Sequence, residues 1–215
     1  THEQLGKCGF AAAVWACDDK HFAIGNIKTD VGEDITDLSI NERAQAGIGF
    51  AFQQPPRFKG MTVRRLLNLA AGRTLSESEC CGFLSSVGLC AQEYIDREAD
   101  ATLSGGEMKR IEIATVLAKQ HALCIFDEPE AGIDLWSFSM LIKKFEQIHK
   151  EKKESLILIS HQERIIRMAD RIMVISDGKI DRIGPAEEIL PTLLDTSSQE
   201  ACCYGQQKGG DYCEA

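Results

Sequence analysis

The sequence predicts an α/β domain built on a mostly parallel sheet. Three observations lead there. From Glu107 onward, helix-like amphipathic segments alternate with short apolar strand-like ones, the pattern of βαβ units. The apolar strands end in polar, chemistry-bearing residues, where open parallel sheets place their sites. The chain has 215 residues, of which 44% are hydrophobic and 27% charged, enough for one domain with a sizeable core.

The elements follow in chain order. Residues 1–30 carry the weakest pattern. Phe10–Cys17 (FAAAVWAC) is apolar throughout and reads as a buried helix or strand. Asp34–Gln45 opens with cap residues and reads as a short helix. Gly47–Phe52 (GIGFAF) reads as a buried strand, stopped by Gln53-Gln54-Pro55-Pro56. Residues 62–100 read as helical. Val63, Leu66, Leu67 and Ala70 recur at helical spacing, as do Cys80, Phe83, Leu84, Val87 and Leu89 after the possible caps Ser76 and Ser78. This block, about 56–103, predicts a helical subdomain.

Three helix–strand pairs come next. They are Glu107–Lys119 with Ala122–Phe126, Trp136–Lys150 with Ser155–Ser160, and Gln162–Met168 with Arg171–Ser176. Asp177-Gly178-Lys179 signals a turn, with Ile180–Ile183 as its hairpin partner. The domain is expected to end near residue 194, leaving 195–215 as a poorly ordered, Cys-containing tail.

Composition excludes some classes. A formal net charge of -9 disfavours nucleic-acid binding, which needs Lys and Arg to replace counterions. No uninterrupted apolar stretch approaches about 20 residues, so no transmembrane helix is expected. No signal peptide is expected either. Nine scattered cysteines, an odd count, fit reduced thiols in a cytoplasmic chain.

Three motifs carry chemistry. Leu123-Cys124-Ile125-Phe126-Asp127-Glu128-Pro129 is an apolar strand ending in two carboxylates. The first can hold magnesium and the second can take a proton from water. An acidic turn is the plain alternative. Leu103-Ser104-Gly105-Gly106-Glu107 opens a helix, and its freed amides suit an anion. A cap with a capping box is the plain alternative there. Ile159-Ser160-His161-Gln162 puts a His at another strand end, where it can meet phosphate or water, or be structural.

Taken together, Phe52-Gln53, LSGGE, CIFDEPEAGID and ISH resemble, in that order, the motifs of ABC ATPases. The resemblance covers about residues 31–190. It implies a P-loop NTPase core with a helical subdomain, and head-to-tail pairing of two copies or of two such ATPases around ATP and Mg2+. Asp127 then resembles the aspartate that supports magnesium, and Glu128 the general base. His161 resembles the switch histidine, and Gln53 the glutamine that senses magnesium and water. Ser104, Gly105 and Gly106 resemble the signature that grips the partner's nucleotide, and Asp134 the residue that links the two sites.

The sequence also departs from that family. No segment satisfies G-x-x-x-x-G-K-[ST]. The nearest is Thr1–Cys8, where Gly6 and Lys7 fit, Thr1 replaces the first Gly and Cys8 the Ser/Thr. On this alignment Gly6, Lys7 and Cys8 bind phosphate, and FAAAVWA is the following helix. A scrambled fragment, a degenerate site and a chance Gly-Lys are the three explanations. The first is favoured, because Glu128, His161 and the signature remain. The family's usual N-terminal β-subdomain is not found.

Within the family, GFAFQQP and SGGEMKRIEI resemble SufC-like ATPases of iron–sulphur cluster assembly, whose partners are SUF scaffold proteins. The segment EPEAGID differs from them. The alternatives are the ATP-binding subunit of a membrane transporter, bound to a permease at the inner membrane face, and a non-catalytic interaction module. Cys202, Cys203 and Cys213 lack paired zinc spacings, which leaves a metal role as the lesser reading.

Overall fold

The computed structural model describes residues 11–16, 35–151, 154–176 and 178–193. Strand β1 (Ala11–Ala16) corrects one expectation: FAAAVWA is not the helix that follows a P-loop. It lies inside the main sheet, parallel to both of its neighbours. Small and apolar residues in succession suit a central strand as well as a helix, so periodicity alone could not decide it.

Helix α1 (Ile40–Gln45) starts later than the cap-rich stretch suggested. Ser39 is its cap and Glu42 completes a capping box. Strand β2 (Ile48–Ala51) follows. Strand β3 (Phe58–Thr62) was not foreseen, because it is exposed along most of its length and shows no alternation. It pairs antiparallel with the two-residue β4 (Glu98–Ala99).

Between them lie α2 (Val63–Ala71), α3 (Glu77–Ser86) and α4 (Ala91–Tyr94), within the stretch read as helical. Gly72 ends α2 in the left-handed region, φ 67°, which a side chain rarely adopts. Of the two candidate caps for α3, Ser76 does the work, in a reciprocal box with Glu79. Ser76→Ala should cost about 1 kcal/mol. A shifted urea midpoint with an unchanged slope would show it.

Helix α5 (Gly105–Leu117) receives α2 and α3 on its flank. Strand β5 (Leu123–Asp127) is buried except at Asp127, hence its unbroken apolar run. Helix α6 (Leu135–Glu151) buries Phe138, Leu141, Ile142, Phe145 and Ile148, one stripe at helical spacing. Phe145 meets Phe126 of β5 with ring centroids 4.9 Å apart. Strand β6 (Ser155–Ile159) leads to α7 (Glu163–Ile166), a single turn shorter than expected.

Strand β7 (Arg171–Ser176) and β8 (Lys179–Pro185) form the foreseen hairpin. Residues 186–193 are also helical, which Pro191 hides from a sequence reading. Ile189 and Leu193 there join Ile166, Ile172 and Val174 in a second apolar cluster. The six-stranded sheet has the order β2-β5-β6-β1-β7-β8, parallel except for β8.

Candidate functional site

The register delivers three loops to one edge. Ala51 of β2 pairs with Phe126 of β5, and Asp127 pairs with Ile159 of β6. Gln53, Glu128 and His161 therefore leave neighbouring parallel strands at the carboxyl edge, the usual place for a site. The Gln53 side-chain amide donates to Glu128 Oε2 at 2.9 Å. His161 Nε2 lies 3.7 Å from Glu128 Oε1. One oxygen of the carboxylate thus accepts from Gln53, and the other faces the His161 ring.

Glu128 is held in an unusual backbone state. Its φ is 43°, in the left-handed region, at a cost of about 1–3 kcal/mol for a residue with a side chain. Its N–H donates to Ile159 O at 2.9 Å, which fixes the turn against β6. Beside it, burial pushes the Asp127 carboxyl up; Lys109 opposes that rise and Glu128 adds to it. Two adjacent carboxylates and an amide make a hard-oxygen set that suits magnesium. A partly buried carboxylate that Lys109 only partly offsets fits a cation.

Lys109 is the residue that sequence reasoning missed. It is 1% exposed, on α5. Its ammonium donates to the carbonyls of Phe52, Gln53 (3.5 Å) and Asp127 (2.7 Å). Glu112, one turn on, accepts the Phe52 N–H at 3.0 Å and places Oε2 3.9 Å from Lys109 Nζ. Burial lowers the Lys109 pKa, against Glu112 and Asp127, and raises that of Glu112. The pair ties the helix behind the signature to both strand ends. The one sequence hint is their spacing, three apart on one helix, where opposite charges can meet.

The signature and the Asp134 loop form a second group. Ser104 caps α5: its hydroxyl accepts the Glu107 N–H at 3.2 Å, and its own N–H donates to Glu107 Oε2 at 2.7 Å. The Tyr94 hydroxyl bonds the other Glu107 oxygen, and with Ser104 holds that carboxyl down at about 2. Asp134 caps α6, accepting from Trp136 N and Ser137 N at 3.0 Å each. Arg110 joins the two caps, bonding Gly106 O at 3.3 Å and lying 3.7 Å from Asp134. The plain cap reading of Ser104 therefore holds, and Asp134 is a cap as well.

Gly106 permits the close approach of these loops. A Cβ there would lie 2.0 Å from Gly132 O, a backbone atom. Gly106→Ala should cost about 1–3 kcal/mol as the 128–134 turn is displaced. A lowered melting temperature with reduced hydrolysis would show it; an unchanged melt would contradict it.

Gly6, Lys7, Cys8 and the tail cysteines Cys202, Cys203 and Cys213 lie outside the described residues. The direction of β1 bears on the first three. Its carboxyl end lies on the edge that carries Glu128 and His161. Gly6–Cys8 precede β1, and a strand instead of a helix follows them. Their alignment as a P-loop draws no support from this topology.

A mostly parallel sheet with Gln, Asp-Glu and His at adjoining strand ends, beside a helix opened by Ser-Gly-Gly, defines an ABC-type ATPase domain. The chain belongs to the ABC transporter family, whose model matches residues 15–131. It is 38% identical over 164 residues to an uncharacterized ABC transporter ATP-binding protein of Methanocaldococcus jannaschii, covering 74% of this chain and 65% of that one. It is 33% identical over 166 residues to the energy-coupling factor transporter ATP-binding protein EcfA2 of Caldanaerobacter subterraneus subsp. tengcongensis, covering 74% and 57%. The chain thus spans less than two thirds of these curated relatives.

A dimeric ATP-binding cassette solved in a post-hydrolysis state with ADP and Pi has the same fold, with TM-score 0.68 at 18% identity, covering 83% of this chain and 86% of that one. A bacterial Atm1-family ABC exporter with ATP bound gives TM-score 0.71 at 20% identity, covering 90% and 37%. These relatives carry transporter names, and the expectation of a SufC-like ATPase draws no support from them.

Proposed function

We propose that this chain is the ATP-binding and ATP-hydrolysing part of an ABC transporter, working as a pair of such domains. The convergence of Gln53, Glu128 and His161 on one edge carries this reading. The family's chemistry is attack of water on the γ-phosphate of ATP, achieved mainly by positioning and charge.

Each residue then has a task. Asp127 and Gln53 would hold Mg2+, which supplies positive charge to the phosphates. Glu128 takes the proton from the attacking water. In this structure Gln53 donates to Oε2 and His161 lies 3.7 Å from Oε1, so a water bound at Oε2 displaces Gln53. His161, more than half exposed at the end of its strand, would meet the γ-phosphate. Ser104, Gly105 and Gly106 present a helix N-terminus to the nucleotide of a partner copy. Asp134, tied through Arg110 to this chain's own signature helix, would link that signature to the Glu128 turn and so the two sites of the pair.

The transporter assignment is supported by the relatives' names, EcfA2 among them. Among the described residues no helix is long and apolar enough to cross a membrane. A permease would then be a separate chain or a segment beyond these residues. Affinity purification of the chain from detergent-solubilised membranes of its host tests this. Recovery with an integral membrane subunit is expected. Recovery with soluble iron–sulphur scaffold proteins alone would overturn the transporter part and restore the SufC-like reading.

A further inference from the structure

We propose that Glu130 is a positioning residue for hydrolysis, holding the turn that carries His161 in place through Ser160. The inference rests on the roles given above to Glu128 and His161. The Ser160 hydroxyl donates to Glu130 Oε1 and accepts the Gln162 N–H at 2.9 Å. Its two bonds bracket His161, one on either side of it in sequence. Ser160 is 1% exposed, so these contacts are sheltered from water.

Glu130 is itself anchored. Its carbonyl accepts the Ile133 N–H at 3.1 Å, and the Glu128 carbonyl accepts the Ala131 N–H at 3.0 Å. The turn that holds the base thus also holds Glu130. The Glu128 N–H bonded to Ile159 O joins the base turn to the strand end before His161 through the backbone, and Ser160 joins it to Glu130 through side chains.

Glu130 Oε2 is shielded from solvent and has no hydrogen-bond partner among the described residues. Burial pushes the carboxyl up, and the Ser160 hydroxyl draws it down. The contact with Ser160 is therefore the side chain's main compensation for being buried, and losing it leaves both groups stranded. His161 stands 55% exposed, with its ring 3.7 Å from Glu128.

Single-turnover and steady-state hydrolysis of Mg-ATP by the full chain tests this. Glu130→Ala and Ser160→Ala should each lower kcat about tenfold, with KM for ATP changed less than about twofold. Glu130→Gln keeps an acceptor for the Ser160 hydroxyl and should stay within about threefold of the unaltered chain. In a His161→Ala background, Glu130→Ala should cost less than about twofold, because the residue it positions is gone. An equal loss with and without His161, or equal losses for Glu130→Ala and Glu130→Gln, would mark a merely structural residue and overturn the proposal. Unchanged kcat in both Glu130→Ala and Ser160→Ala would overturn it while leaving the site reading intact. Unchanged kcat in His161→Ala would remove the site reading and this proposal with it. Should Glu130→Ala fail to fold, Ser160→Ala reads the same joint from the other side.

Discussion

Glu128→Gln is expected to reduce ATP hydrolysis by about 10²–10⁴-fold while leaving ATP binding and stability nearly unchanged. The three parts of that expectation have separate causes. A neutral amide cannot take the proton from water, so the chemical step loses its base. Glutamine has the same reach and still offers an oxygen to the Gln53 amide, now 2.9 Å from Glu128 Oε2. The left-handed backbone at φ 43° strains glutamine as much as glutamate, so folding changes little. Phosphate release reports the first part, equilibrium ATP binding the second and a thermal melt the third. With hydrolysis stalled, ATP should accumulate between paired copies, and the solution mass in Mg-ATP should double. Hydrolysis at the unaltered rate would mean that the water is activated elsewhere.

Lys109→Met should be the most destabilising single change at the site, by about 3–5 kcal/mol, because it breaks a buried ion pair from one side. Methionine fills most of the space but cannot donate. The carbonyls of Phe52, Gln53 and Asp127 lose a shared donor, and Glu112 Oε2 loses the cation 3.9 Å away. Domains of this size are stable by about 5–15 kcal/mol, so the loss is a large share. Adding Glu112→Gln should recover part of it. The stranded charge is removed, while an acceptor for the Phe52 N–H remains. Urea unfolding of the single and double variants separates these outcomes. A double variant less stable than Lys109→Met would show that Glu112 does more for the fold than offset Lys109. The loosened loop should also let Gln53 leave Glu128, so kcat should fall further than the stability loss explains.

The parts of this molecule that sequence reveals are those where one residue type does one job. The apolar run before Asp127 predicts a buried central strand, which is found, and the carboxylates at its end mark the proposed site. Gln53 and His161 were legible as chemistry, though only pairing register brings them to the same carboxylate. Periodicity in α6 is clear because one face is buried and the other is wet. Lys109 and Glu112 stayed hidden because charged residues in a helix are expected to face water, and only the packing of α5 against two strand ends turns them inward. Glu130 carried no reading of its own, because its bond to Ser160 spans thirty residues of chain. FAAAVWA failed for a different reason: with no polar residue to mark a face, helix and strand look alike until the sheet claims it.

The most direct test of the central claim is phosphate release from ATP by the unaltered chain, with magnesium and again with the metal chelated. The site described here predicts release that requires magnesium and follows the ATP concentration to saturation. No release and no ATP binding in either condition would contradict it. The convergence of Gln53, Glu128 and His161 would then be the remnant of an ATPase site in a chain that no longer holds nucleotide.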